Sequence, residues 1–336
     1  MNGKRALVTG CCGFIGSNLT RHLLNEGWTV DGVDDLSGGE LDLLEVPIDM
    51  MRVVPGPVLG IYEDQHEGSR EPNHLLVITD DFASEHVLSR IAKKNYDVVF
   101  HLAANPRVEY SVMNPATTTD NNLNKTVMLM TACTNNIDRF VFASTSAIYG
   151  DTEELPTPES SEATPKSPYA VQKLCVESFG KVFNELYDFD FAALRFFNVY
   201  GPGQYGSSPY STAVSAWCDK IKDGEPLRSD GDGEQTRDLV FVEDVCTALN
   251  LIATRKERFG FDIFNVATGY ALSNNQIISY LKEIFPDLIT MVAPERPGDV
   301  KHTLANVDKL YNAIGFRPVT KFNEGLHKTL AWWNLI

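Results

Sequence analysis

Along the first two-thirds of the chain, short apolar runs alternate with longer stretches whose apolar positions recur at helical spacing. The runs predict strands at Arg5–Thr9, Trp28–Asp34, His74–Thr79, Val98–Ala103, Arg139–Ser144, Phe191–Phe196 and Phe261–Val266. The amphipathic stretches predict helices that include Ile15–Glu26, Ser84–Lys94, Leu123–Asn135 and Pro168–Leu186. Strands separated by helices imply an α/β fold with a parallel, doubly wound sheet.

Two regions break this rhythm. Glu45–Asn73 carries Pro47, Pro55, Pro57, Pro72 and three glycines, and is long for a βα connection, so a surface excursion is expected. After Phe197 the chain turns loop-rich, in 201-GPGQYGSSPY-210, 230-DGDGEQTRD-238 and 294-PERPGD-299, before a short C-terminal helix. Irregular stretches of this kind build caps over the ends of strands. The expected division is a doubly wound domain over 1–197 with about 239–266, and a smaller cap over 198–238 and 267–336. There is no internal repeat and no flexible interdomain linker.

The net charge of −16 argues against a nucleic-acid partner, which would need clustered Lys and Arg. It leaves room for a small phosphorylated ligand held by one or two arginines. No apolar run nears the roughly 20 residues of a membrane span. The chain enters a strand-like segment at Lys4, with no room for a signal peptide, so a cytoplasmic location is expected. Cys11, Cys12, Cys133, Cys175, Cys218 and Cys246 show no zinc-type spacing, and are expected as reduced, mostly buried thiols with no metal site.

Candidate chemistry begins at 7-LVTGCCGFIGSNL-19, where Gly10, Gly13 and Gly16 lie between a strand and a helix. Gly10 permits a tight turn, Gly13 lets backbone amides approach a pyrophosphate, and Gly16 allows close helix–sheet contact. Phe14 and Ile15 open the helix, whose N-terminus favours negative charge. A glycine triplet alone has structural uses. Here the next strand ends in Asp34 at the distance expected of a ribose ligand. Its carboxylate would repel a 2′-phosphate, which favours NAD over NADP; the plain alternative is a strand-end turn residue.

The second signal is 167-SPYAVQK-173, preceded by 142-FASTSAIYG-150. Tyr169 and Lys173 share one helix face, and the positive charge of Lys173 would favour the phenolate. Taken alone, Y-x-x-x-K is only two neighbours on a helix. Combined with the glycine loop and a Ser/Thr-rich strand end, it becomes specific.

With the motifs TGCCGFIG, 101-HLAA-104, 120-DNNLNKT-126, STSAIYG, YAVQK and 194-LRFFNVYGPGQ-204, the chain resembles the extended short-chain dehydrogenase/reductase family over essentially its whole length. The Rossmann-type sheet and bound NAD follow from that resemblance. Within the family it looks most like UDP-hexose 4-epimerases, particularly those acting on N-acetylated or uronic-acid sugars.

The resemblance implies that Thr145 contacts the sugar's 4-hydroxyl, while Ser144 and Ser146 pack or assist the substrate. It places Asp81 and Phe82 at the adenine, Ala103 and Ala104 along the diphosphate and nicotinamide, and Asn121 beside the nicotinamide loops. Asn198 and Gln204 fall on the substrate side, with Asn198 holding the nucleotide diphosphate. Arg237 and Arg296 would clamp the diphosphate, Asp299 the ribose, and Thr303 would border the sugar's C2 substituent. Cys11 and Cys12 replace the usual small residues between the first two glycines and are expected to narrow that loop.

The implied reaction is reversible. Tyr169 takes the 4-hydroxyl proton as C4 gives hydride to NAD, the 4-keto sugar turns about its diphosphate, and hydride and proton return to the other face. Related 4,6-dehydratases carry Asp-Glu after the catalytic Thr, and decarboxylases keep an acidic residue there. Here Ser146 and Ala147 stand at those positions, which disfavours both. A non-catalytic NAD-binding module is the alternative of a different class. The family resemblance also implies a homodimer through Leu123–Asn135 and Pro168–Leu186.

Overall fold

The computed structural model describes residues 3–56, 74–93, 95–206, 212–295 and 300–336. Its strands are β1 (Arg5–Thr9), β2 (Thr29–Asp34), β3 (Met51–Pro55), β4 (Leu75–Thr79), β5 (Val98–His101), β6 (Arg139–Thr145), β7 (Phe191–Phe196), β8 (Asn198–Tyr200), β9 (Leu227–Asp230), β10 (Thr236–Phe241), β11 (Phe261–Val266), β12 (Ala271–Ser273) and β13 (Thr290–Ala293). Its helices are α1 (Phe14–Asn25), α2 (Glu85–Ala92), α3 (Val108–Met113), α4 (Pro115–Thr119), α5 (Lys125–Cys133), α6 (Pro168–Tyr187), α7 (Ala213–Asp223), α8 (Val242–Thr254), α9 (Asn274–Ile284), α10 (Asp308–Ile314) and α11 (Phe322–Trp332).

Eight strands form one sheet in the order β11-β7-β6-β5-β1-β2-β4-β3, the doubly wound Rossmann-type arrangement expected. Every pairing from β3 across to β6 is parallel. All six residues of β2 and all four of β5 are buried, as in parallel strands covered on both faces, and β2 buries Asp31 and Asp34 along with its two valines. Thr9 stands level with Val33 on one side and His101 on the other, so the ends of β1, β2 and β5 coincide.

Met51–Pro55 departs from the expected excursion: it pairs with β4 as the edge strand, Met51 opposite Leu75. Its residues are exposed or half-buried, so it has no buried face to impose an apolar pattern, and Pro55 is tolerated because the strand lies on the edge. Residues 57–73 of that excursion lie outside the described residues, as does Lys94 at the end of one expected helix. The expected helix at Leu123–Asn135 is preceded by α4 and a π-helical turn, Asp120–Asn124, that leads into α5.

Packing divides the chain into two units. The first comprises 1–144, 167–194 and 249–263, and the second 145–166, 195–248 and 264–336. The second takes in 145–166, 195–197, 239–248 and 264–266, which the sequence-based division placed with the first. The first unit's core joins Leu7, Val33, Ile78 and Val99 to an aromatic group in which Phe140 stacks on Phe191 with ring centroids 5.8 Å apart. The second has its own core around Tyr200, Trp217, Phe241, Leu326 and Trp333. It holds more regular structure than its loop-rich sequence suggests, a three-stranded sheet β12-β10-β8 and the pair β13-β9. Strands of three or four residues are too short to declare a period. Among the described residues no helix is long and apolar enough to cross a membrane.

Candidate active site

The three glycines of the first loop serve different ends. Gly10 has φ of 71°, and a Cβ there would lie 2.8 Å from the Ala103 nitrogen, so no other residue fits. At Gly16 a Cβ would lie 1.9 Å from the Gly10 carbonyl oxygen. Gly13 has φ of −80°, and the nearest atom its Cβ would meet is 3.4 Å away. The protein itself therefore tolerates a side chain at Gly13, and the missing one leaves space before the first turn of α1. That turn has no side-chain cap and no acidic residue. Phe14 and Ile15, both half-buried, begin it. An open, uncapped helix N-terminus with a positive dipole end fits the pyrophosphate of a dinucleotide.

Asp34 closes β2, nearly buried. Its Oδ2 accepts the Cys12 N–H and its Oδ1 the Leu36 N–H, both at 2.9 Å. Burial raises its pKa, and these two bonds oppose the rise. The carboxylate is thus fixed in direction, with lone pairs left for a ribose hydroxyl.

Cys11 and Cys12 are the residues expected to narrow the loop. Both are fully buried, their sulfurs 3.6 Å apart, and the space they need is provided by glycines. A Cβ on Gly32 would lie 2.5 Å from the Cys11 Sγ, and one on Gly39 would lie 2.7 Å from the Cys12 carbonyl carbon. All six cysteines are free thiols.

Of the other residues assigned to the cofactor, Asp81 accepts the Ala83 N–H at 2.9 Å and the Lys125 ammonium at 2.5 Å. Phe82 is buried, with its ring 4.9 Å from that of His101. Ala103 and Ala104 are half-buried just beyond β5, and the Ala103 N–H donates to the Thr9 hydroxyl. Asn121 is half-buried and its amide only approaches the Asn122 Oδ1, at 3.4 Å. Asn122, which the motif did not single out, does the bridging. It accepts the Asn105 N–H at 2.7 Å and donates to the Asn105 carbonyl and the Gln172 Oε1, both at 2.8 Å.

The helix α6 starts sharply because Ser167 caps it, accepting the Ala170 N–H, and Pro168 presets its first turn. Tyr169 is nearly buried, and its N–H donates to the Ser111 hydroxyl of α3 at 3.2 Å. Lys173 is 3% exposed; its ammonium donates to the Ala143 carbonyl at 2.8 Å and lies over the Phe142 ring, 4.5 Å from its centroid. Burial pulls the Lys173 pKa down to about 7, and the Glu177 charge pulls it back up. Ser144, the residue before Thr145, spends its hydroxyl on Glu177.

The remaining candidates lie in the second unit. Thr145 ends β6, and its Oγ1 accepts the Ala147 N–H at 3.2 Å at the start of the single turn Ser146–Tyr149. Asn198 opens β8 level with Leu239 and is half-buried. Gln204 is buried, donating to the Val199 carbonyl at 3.2 Å and accepting from the Thr212 hydroxyl at 3.0 Å. Arg237, in β10, donates to the carbonyls of Thr236 and Lys301 at 3.0 and 3.2 Å. The Thr303 hydroxyl accepts the Asp238 N–H at 3.2 Å. Arg296 and Asp299 lie outside the described residues.

The profile of the NAD dependent epimerase/dehydratase family matches residues 6–267. A putative UDP-glucose 4-epimerase of Methanocaldococcus jannaschii is 30% identical over 331 residues, 97% of each chain. Among solved structures, UDP-N-acetylglucosamine 4-epimerase from Methanobrevibacter ruminantium, in complex with UDP-N-acetylmuramic acid, is 35% identical with a TM-score of 0.87 over 99% of each chain. The UDP-glucose 4-epimerase of Thermus thermophilus, in complex with NAD, is 29% identical with a TM-score of 0.81, covering 98% of this chain and 99% of that one. A match that runs from the first strand of the large sheet into the last gives fold and glycine loop a common origin: the chain belongs to the NAD-dependent epimerase/dehydratase family of extended short-chain dehydrogenases/reductases, and NAD is its cofactor.

Proposed function

We propose that this protein is a UDP-sugar 4-epimerase that inverts C4 reversibly through a 4-keto sugar and accepts N-acetylated as well as plain hexoses. The observation that carries this reading is Lys173, a buried cation held by the Ala143 carbonyl one helical turn from Tyr169. Such a cation favours the phenolate that a proton-abstracting tyrosine requires. NAD, when bound, supplies a reversible hydride acceptor.

In this reading Tyr169 holds and returns the proton of the 4-hydroxyl, and Thr145 hydrogen-bonds the same oxygen. Gly10, Gly13, Phe14, Ile15, Gly16 and Asp34 hold the cofactor, with Asp81, Phe82, Ala103, Ala104 and Asn121 around it. Asn198, Gln204, Arg237, Arg296 and Asp299 hold the nucleotide, anchoring the diphosphate while the sugar turns. Ser146 and Ala147 carry no carboxylate to drive water loss, which favours epimerisation over dehydration. The likeness to an enzyme that was solved with UDP-N-acetylmuramic acid supports room for an N-acetyl group.

A homodimer is part of the same proposal. Val171, Phe179, Val182 and Leu186 line an exposed apolar stripe along α6, with Met128 exposed on α5.

The test is to incubate the purified protein with a panel of UDP-sugars and resolve C4 epimers by NMR. Equilibration of UDP-glucose or UDP-N-acetylglucosamine with its C4 epimer is the expected result. Bound NAD with C4 unchanged in every sugar would leave an NAD-binding module; a product that has lost water would make it a dehydratase.

A further inference from the structure

Beneath the glycine loop a line of hydrogen bonds runs through the first unit from β1 to α6. The Ala103 N–H donates to the Thr9 Oγ1 at 3.2 Å, and that oxygen lies 2.7 Å from the His101 Nδ1. On the other side of the ring the His101 Nε2 lies 2.9 Å from the Thr126 Oγ1, whose hydroxyl donates to the Asn122 carbonyl at 2.9 Å. Asn122 donates to Gln172, and the Gln172 amide donates to the hydroxyls of Thr118 and Thr119, both at 3.0 Å. Thr9, His101, Asn122, Thr126 and Gln172 are all 2% exposed or less.

One arrangement of protons satisfies every contact of this line, the Thr126–Asn122 bond included. Thr126 has a single hydroxyl hydrogen, and the Asn122 carbonyl, which cannot donate, takes it. The His101 Nε2 must therefore carry a hydrogen and donate to Thr126. Burial and the Lys173 charge both hold the ring neutral, so Nδ1 is bare and accepts the Thr9 hydroxyl hydrogen. Thr9 then has lone pairs free for the Ala103 N–H.

Both ends of the line reach the cofactor and catalytic elements. The Ala103 nitrogen is the atom that a Cβ on Gly10 would strike, and Gln172 is next to Lys173 on α6. The middle passes through the π-helical turn Asp120–Asn124, a feature common at functional sites. We infer that His101, as its neutral Nε2–H tautomer, is a positioning residue that holds the glycine loop in register with the Tyr169–Lys173 turn of α6. The turnover arm of its test rests on the epimerase reading; the other arms do not.

Thr126→Val keeps the shape but removes the inferred acceptor of the His101 Nε2–H, and Thr126→Ser restores it. In Thr126→Val, bound NAD should exchange about tenfold faster in a chase with labelled NAD. The kcat should fall by about the same factor with KM for the sugar unchanged. Thr126→Ser should behave like wild type in both. Nitrogen-15 NMR of histidine-labelled wild type should show His101 as the Nε2–H tautomer. A folded Thr126→Val with wild-type NAD exchange and kcat, or a wild-type ring that is Nδ1-protonated or doubly protonated, overturns the inference. If wild type converts no UDP-sugar, only the epimerase reading falls, and tautomer and NAD exchange still decide the role of His101.

Discussion

The hydroxyl of Ser144 donates to the Oε1 of Glu177 at 2.6 Å, deep in the first unit. Glu177 follows Lys173 by one helical turn, and Ser144 follows Ala143, whose carbonyl takes the Lys173 ammonium. The end of β6 thus fixes both a cation and a counter-anion away from water. Burial lowers the folded pKa of Lys173 from 10.5 to about 7, so folding disfavours its charged form. The resulting penalty is full below the folded value and fades as pH rises towards the unfolded one. Glu177 limits it by drawing the pKa upward.

Replacing Glu177 by Gln should therefore move the alkaline limb of the kcat profile to lower pH, because Lys173 loses its proton sooner and no longer favours the phenolate. Glu177→Asp should shift it less. Profiles of kcat against pH for the three proteins check this; superimposable alkaline limbs would mean that Glu177 does not act on Lys173.

Gly13 and Gly16 should separate when each is changed to Ala. Gly13→Ala meets nothing nearer than 3.4 Å, so it should melt like wild type while retaining far less NAD. Gly16→Ala drives a methyl to 1.9 Å from the Gly10 oxygen and should lower Tm sharply or abolish folding. Thermal melts paired with NAD content after denaturation distinguish the two. Full NAD content in Gly13→Ala would place the pyrophosphate elsewhere.

What the sequence made legible was local. The glycine spacing, Asp34 one strand later and Tyr169 with Lys173 on one helical turn are each declared within a short window. The supporting residues were not, because their partners are remote. His101 stands in a visible motif, but its hydrogen bonds reach back 92 residues to Thr9 and on 25 to Thr126. Ser144 and Glu177 are 33 residues apart, and nothing in either segment announces the other. The buried thiol of Cys11 depends on Gly32 and the backbone of Cys12 on Gly39, glycines 21 and 27 residues further on. Asn121 and Asn122 are indistinguishable by motif; the π-helical turn decides which is buried.

The exposed stripe on α6 predicts the oligomer. Val182 and Leu186 are 45% and 65% exposed, so changing both to Glu should cost the subunit little stability. In a homodimer joined through this helix, two buried carboxylates per subunit should yield monomers by light scattering. A wild-type monomer, or a double variant that remains dimeric, would remove α6 from the interface.

Thr303 carries the proposal on sugar choice, and its surroundings make two effects separable. Its N–H donates to the Thr236 carbonyl at 3.1 Å and its hydroxyl accepts the Asp238 N–H at 3.2 Å, so β10 grips it twice. Asp238 is itself fully buried, its carboxylate accepting from Thr268, Gly269 and Ala305. Thr303→Val removes the acceptor of a buried N–H and should cost about 1–3 kcal/mol of stability without altering the preference between sugars. Thr303→Tyr loses the same hydrogen bond and adds a rigid ring where an N-acetyl group is proposed to lie. It should melt about as early as the valine variant, but turnover of UDP-N-acetylglucosamine should fall much further than turnover of UDP-glucose. The ratio of kcat/KM for the two sugars in the three proteins is the deciding measurement. If the ratio is unchanged in Thr303→Tyr, Thr303 serves β10 alone and the sugar's C2 substituent lies against another residue.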